Sequence, residues 1–159
     1  MILSTAGLNQ YVIGLAKALY TRGFELPSGP AAEFDDSGHI AFGLVGTIAA
    51  AEGLGLDAEI SLDERWRPLP ERRWERDEYA YDLIDHGRAR RRAFHLHDRA
   101  LSEARLGVLA HEHCDVLGAP RCSHYVGRDI GDGYLAIDLL LAAWVEPDDL
   151  GCDSLICLS

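Results

Sequence analysis

A regular alternation of apolar and polar residues between positions 39 and 97 constrains the fold more than any other feature of the chain. Ile40, Phe42 and Leu44 occupy every second position of the first segment, and Ala58 and Ile60 begin the same pattern in the next. Successive side chains of a strand point to opposite faces, so a period of two predicts strands with one apolar face. Short turns and prolines separate the segments. We therefore expect an antiparallel meander with one buried face and one charged face in water.

The fold predicted from these patterns is a single α+β domain over residues 1–159. Its antiparallel meander has about four to five strands, flanked by an N-terminal and a C-terminal helix. Tyr11, Leu15 and Leu19 form an apolar stripe on the first helix, and Gly23 follows as its stop. We expect strands at residues 39–51, 58–67, 74–85, 91–97 and 108–114, helices at 9–22, 99–106 and 133–145, a loop at 25–38 and an edge strand at 154–158.

Charge is distributed unevenly along the chain. The chain has 15 basic and 26 acidic residues, a formal net charge of −11. Residues 65–105 hold eleven Arg against eight acidic residues, an excess of +3, which leaves −14 for the rest of the chain. An acidic protein repels nucleic acid at long range, whereas a local Arg stripe can still bind a phosphate or carboxylate. Arg90 and Arg92 are the candidate substrate-binding residues, although a charge run of this kind is also typical of a solvated sheet face.

Five of the seven histidines lie between positions 95 and 124, together with two of the four cysteines. His95 and His97 are two residues apart, and on a strand both rings project from one face. His111 and His113 repeat that spacing. Imidazole and thiolate are the ligands that zinc prefers, so this region is the candidate metal site.

Two zinc schemes fit the spacing, and a chain without any metal is the third alternative. A closed structural site would combine His111 or His113 with Cys114, Cys122 and His124. An open site would combine His95 and His97 with His111 and His113, with Glu112 or Asp98 as the base or as a partner of the ligands.

Two classes of function follow from these features. The first is a small hydrolase that acts on a phosphodiester or another anionic substrate, such as a nucleic-acid fragment, with His95, His97 and Glu112 as catalytic residues. The second is an acidic interaction protein of the inhibitor, immunity or antitoxin kind, which binds a basic protein and in which any zinc is structural. A subunit of a larger assembly, with an interface on the C-terminal helix, is a further possibility.

The sequence also indicates a compartment. The longest stretch without Asp, Glu, Lys or Arg covers residues 37–51, shorter than the about 20 apolar residues of a transmembrane helix. We expect a cytoplasmic protein without a membrane span, in which the four cysteines, including Cys152 and Cys157, are reduced.

Overall fold

A computed structural model describes residues 1–48, 58–97, 104, 107–116, 124–145 and 155–158. Eight strands form one antiparallel sheet, in the order β2-β3-β4-β5-β6-β7-β8, with β1 paired to the first residues of β5. Together with the α-helices that the described residues form near each end of the chain, this confirms the α+β class, although the sheet has more strands than expected. The elements are β1 (Ile2–Ser4), α1 (Thr5–Thr21), β2 (Ala31–Phe34), β3 (Ile40–Ile48), β4 (Ala58–Leu69), β5 (Arg73–Asp85), β6 (Arg90–Leu96), β7 (Ala110–Val116), β8 (Tyr125–Val126) and α2 (Gly133–Val145).

The four strands predicted from the alternation are β3 to β6, and the fifth is β7. The prediction of a loop over residues 25–38 is wrong for Ala31–Phe34, which pairs with β3 as an edge strand. All four residues of this strand are exposed, so no buried face imposes an apolar alternation on its sequence. The predicted helix at 99–106 lies almost entirely outside the described residues. Of the predicted strand at 154–158, the described part forms one bridge, between Cys157 and Tyr125.

Both helices begin at residues that satisfy their free N–H groups. The Ser4 hydroxyl accepts a hydrogen bond from the Gly7 N–H at 3.1 Å, so α1 begins four residues earlier than its apolar stripe indicates. The Asp132 carboxylate accepts one from the Leu135 N–H at 2.8 Å at the start of α2, whose bounds agree with the prediction.

The apolar core lies between the two helices and one face of the sheet. Side chains at alternate positions of β3 to β6 pack there against the buried faces of α1 and α2. Trp66 and Tyr81 are fully buried at its centre. Burying a large apolar side chain contributes about 2 to 3 kcal/mol, so this face is committed to stability. The opposite face is left for the polar side chains of the same strands.

A buried carboxylate ties α1 to the sheet. Glu64 accepts hydrogen bonds from the Tyr11 hydroxyl at 2.7 Å, from the Trp66 indole N–H at 2.9 Å and from the Tyr81 hydroxyl. The Arg76 guanidinium lies 3.6 Å away. Burial raises the pKa of Glu64, and its hydrogen bonds and Arg76 oppose that shift. The Tyr11 hydroxyl also accepts from the Gly133 N–H at 2.7 Å, which links the first turn of α2 to the same network.

Candidate metal centre

Three histidines meet on the sheet face that points away from the helices. His95 comes from β6, and His111 and His113 come from the neighbouring strand β7. Strand alternation places His95 there, because its neighbours Phe94 and Leu96 point to the other face and enter the apolar core. His95 and His111 are directly opposite each other in the antiparallel register.

The potential ligand atoms of His95, His111 and His113 all lie within 4.8 Å of one another. The three residues are 6%, 3% and 7% exposed, respectively. Nitrogen ligands around a tetrahedral zinc ion lie roughly 3.4 Å apart, so small side-chain rotations bring this triad to a coordinating geometry. We refer to these three residues as the His triad.

Two more histidines border the His triad. The His97 ring lies 5.1 Å from that of His95 and 5.3 Å from that of His111, centroid to centroid. The His124 ring lies 5.0 Å from His111 and 4.9 Å from His113. The structure therefore brings together all five histidines that the sequence placed in the candidate region.

Asp82 fixes the orientation of His95. Its Oδ2 lies 2.7 Å from His95 Nε2, and its Oδ1 accepts a hydrogen bond from Arg91 Nε at 2.6 Å. A carboxylate only accepts, so Nε2 carries the proton and the lone pair of Nδ1 is left for a ligand. Burial raises the pKa of Asp82, but the hydrogen bond and the electrostatic interaction with His95, together with the Arg91 guanidinium, outweigh burial and lower the pKa. A carboxylate behind a histidine in this way is typical of metal-binding histidines.

The His triad contains polar atoms without a partner. Nδ1 of His95 and Nδ1 of His111 are both buried, and neither atom has a hydrogen-bond partner among the described residues. Burial is also the main reason that the pKa of His111 falls to about 4 and that of His113 to about 3. Both rings are therefore neutral at pH 7, the form that coordinates a metal. A bound cation would satisfy the unpaired nitrogens, so the residues present fit a metal ion.

Three of the predicted site residues lie on the helix side of the sheet, away from the His triad: Glu112, Arg92 and Arg90. Glu112 and Arg92 form a buried ion pair on the helix side of the sheet, and Arg92 also donates to the His113 carbonyl at 2.9 Å. Arg90 lies on the same side and lines a small pocket with Arg92 and Trp144 of α2. Alternation therefore puts Glu112, Arg90 and Arg92 on the face opposite the His triad, whereas from the sequence we expected them beside the histidines.

The structure also corrects the expected state of the cysteines. Cys114 and Cys157 each take part in a disulfide bond, so neither is a reduced thiol. A disulfide sulfur has no thiolate to donate, and Cys114 therefore does not act as a zinc ligand in this state. Cys122 and Cys152, like Asp98, lie outside the described residues. The disulfide therefore removes Cys114, one of the two cysteine ligands of the closed scheme, whereas the histidines of the open scheme that lie on β6 and β7 are close together.

A groove of about 480 Å³ adjoins the His triad on the same sheet face, and no sequence pattern indicates it. His97 lies at its edge, and Glu33, Asp63 and Glu78 bring carboxylates to its lining. Burial and the nearby charge of Asp82 raise the pKa of Asp63, with an opposing effect from His95. Asp63 and Asp82 are the residues that sequence reasoning missed. Strand parity places both on the polar face, but only the register places them beside the histidines.

Comparisons with protein-family models, with curated proteins and with solved structures find no significant match for this chain. Within the part of the chain that the structure describes, no helix has the length and apolar character needed to cross a bilayer.

Proposed function

We propose that the protein is a metal-dependent hydrolase in which His95, His111 and His113 hold a zinc ion. The observation that carries this proposal is the convergence of three buried imidazoles, with ligand atoms within 4.8 Å of one another, on the sheet face that no described helix covers. Three histidines with a further position open to water are a donor set of catalytic zinc sites, whereas structural sites are closed by four protein ligands.

The chain's own residues supply the remaining features of a hydrolytic site. Zinc, when bound, supplies Lewis acidity and a water molecule of lowered pKa. Asp82 holds His95 in the tautomer that leaves Nδ1 bare, so this ligand is oriented before the metal arrives. His97 is exposed beside the His triad and is placed to carry a proton to or from a substrate.

The positions of the arginines do not favour an anionic substrate. Arg90 and Arg92 lie on the other face, and Arg91, which faces the histidines, is paired with Asp82. We also propose an oxidising compartment, since disulfide-bonded cysteines such as Cys114 and Cys157 are rare in the cytoplasm. This proposal replaces the cytoplasmic expectation.

The test is hydrolysis of a panel of chromogenic amides and esters by the full chain, with phosphodiesters as anionic comparison substrates. The protein is assayed after chelation and again after zinc is restored. We expect hydrolysis of at least one substrate class that disappears with zinc and returns with it, and that is lost in His95→Ala and His113→Ala. The matched control is His86→Ala, since His86 is an exposed histidine in the turn between β5 and β6.

Other outcomes favour the alternative. Hydrolysis that persists in the chelated protein would contradict the proposal. Zinc bound to the His triad with no hydrolysis of any member of the panel, together with salt-sensitive binding of a basic protein, would instead support the acidic interaction protein.

A further inference from the structure

The groove beside the His triad has a floor of small residues. Ala31, Ala41, Gly43 and Ala80 come from β2, β3 and β5, and all four line it. A Cβ at Gly43 would lie 2.7 Å from Asp63 Oδ1, so the absence of a side chain there lets the carboxylate lie across the neighbouring strand. Small side chains on adjacent strands leave room for a ligand to lie against the sheet.

The charge of this groove is negative and partly uncompensated. Among the described residues, Glu33 and Asp63 have no hydrogen-bond or ion-pair partner. Arg65, the cation of the lining, is already engaged, with Asp35 at 2.6 Å and Glu78 at 3.5 Å. Two carboxylates therefore face the groove without a cation to balance them.

The groove continues into the His triad. Asp63, Ala80 and His95 are directly opposite one another on three successive strands. Strands lie about 4.8 Å apart, so the Cα atoms of Asp63 and His95 are roughly 10 Å apart, with only the methyl group of Ala80 between them. His97 contacts both regions. His95 is 6% exposed and its Nδ1 has no hydrogen-bond partner among the described residues, so the buried end of this continuous surface offers a polar atom to a ligand.

We propose that the groove binds an ammonium or guanidinium group of the substrate while the bond to be hydrolysed lies at the His triad. The inference rests on the proposed hydrolase, because it names the substrate class of the same site. The Asp63 carboxylate leans toward Gly43 of β3, away from His95, so the substrate is an amide or ester with a cationic group roughly 10 Å or more from the carbonyl carbon. In its hydrolysis the oxygen of water bonds to that carbon, the C–N or C–O bond breaks, and a proton passes to the leaving amine or alcohol.

The experiment measures binding of three neutral-backbone probes by NMR titration of the full chain, with zinc removed and with zinc restored. The probes are N-acetyl-lysine methylamide, its norleucine analogue and its glutamate analogue, which differ in the end group of the side chain. We expect the lysine probe to bind about tenfold more tightly than the norleucine probe, and the glutamate probe to bind most weakly.

Isosteric variants identify the carboxylates. Asp63→Asn and Glu33→Gln should each weaken binding of the lysine probe about tenfold, and should leave binding of the norleucine probe unchanged. The matched control is Glu59→Gln, because Glu59 lies on the same face of β4 as Asp63 but does not line the groove. This control should bind all three probes as the unmodified protein does.

The two proposals fail in different ways. Equal affinity for the three probes, or lysine binding that is unchanged in both carboxylate variants, overturns the groove assignment even if zinc binds and hydrolysis occurs. Carboxylate-dependent binding of the lysine probe by a chain that takes up no zinc supports the groove assignment and overturns the hydrolase.

Discussion

Replacing Asp82 with Asn tests whether the His triad is a metal centre or only a cluster of buried rings. The carboxylate lies 2.7 Å from His95 Nε2 and selects the tautomer that exposes Nδ1. An asparagine that turns its N–H₂ group toward the ring would favour the opposite tautomer, with the proton on the ligand atom. Loss of such a carboxylate typically lowers metal affinity about 10- to 100-fold, which corresponds to about 1.4 to 2.7 kcal/mol.

The assay for Asp82→Asn is competition for zinc against a chromophoric chelator, which gives the Kd of each variant. Asp138→Asn is the control, since Asp138 accepts a hydrogen bond from Arg22 at 2.7 Å on the exposed side of the helices, away from the histidines. We expect the Kd to rise about 10- to 100-fold in Asp82→Asn and to stay unchanged in the control. A Kd for Asp82→Asn within about twofold of that of the unmodified protein would show that this carboxylate does not orient a metal ligand.

Three further predictions concern stability. The pKa values of about 4 for His111 and about 3 for His113 lie below the usual value of histidine, so the unfolded chain takes up protons first as the pH falls. The free energy of unfolding of the metal-free protein, measured by urea titration, should therefore fall by on the order of 3 kcal/mol per histidine between pH 6.5 and pH 4. Tyr11→Phe removes a donor to buried Glu64 and should lower the free energy of unfolding by about 2 kcal/mol, measured by urea denaturation. Gly127→Ala places a Cβ 2.6 Å from the His111 backbone, so it should lower Tm and weaken zinc binding together.

Each of these predictions has a control and a contradicting result. A metal-free protein equally stable at pH 4 and pH 6.5 would contradict the assignment of neutral buried histidines. Tyr20→Phe, at a position 72% exposed, should change the free energy of unfolding by less than about 0.5 kcal/mol, and an equal loss in both tyrosine variants would exclude the Glu64 network as the cause. For the glycine, the control is Gly29→Ala, which meets nothing within 4 Å; an unchanged Tm for Gly127→Ala would show that β8 does not need this close approach.

The meander and the histidine face were predictable because both follow from a period of two. The strands β3 to β5 have buried alternate positions, whereas β6 is buried on both faces from Arg92 to Leu96; the alternation of side chains still puts His95 and His97 on one face. The same rule puts Glu112 on the other face of β7 from His111 and His113, a placement that follows from strand parity and not from the spacing alone. An exposed edge strand such as Ala31–Phe34 carries no such pattern, and the sequence does not reveal it.

The register between neighbouring strands could not be predicted from the sequence. Asp82 meets His95 only because β5 and β6 pair with Asp82 beside Ala93, and Asp63 reaches the same area across Ala80. A shift between Arg65 and Trp66 changes which residues of β4 and β5 face one another. A sequence alone, without the strand pairing, does not determine such contacts, because the hydrophobic pattern defines the two faces of each strand but not the offset between neighbouring strands.

Elemental analysis of the tag-free full chain decides whether the His triad holds a zinc ion. We expect about one zinc per chain in the unmodified protein and in His86→Ala, and zinc lost from His95→Ala and from His113→Ala while both variants stay folded. A folded protein that takes up no metal, or zinc retained in both triad variants, would contradict this expectation.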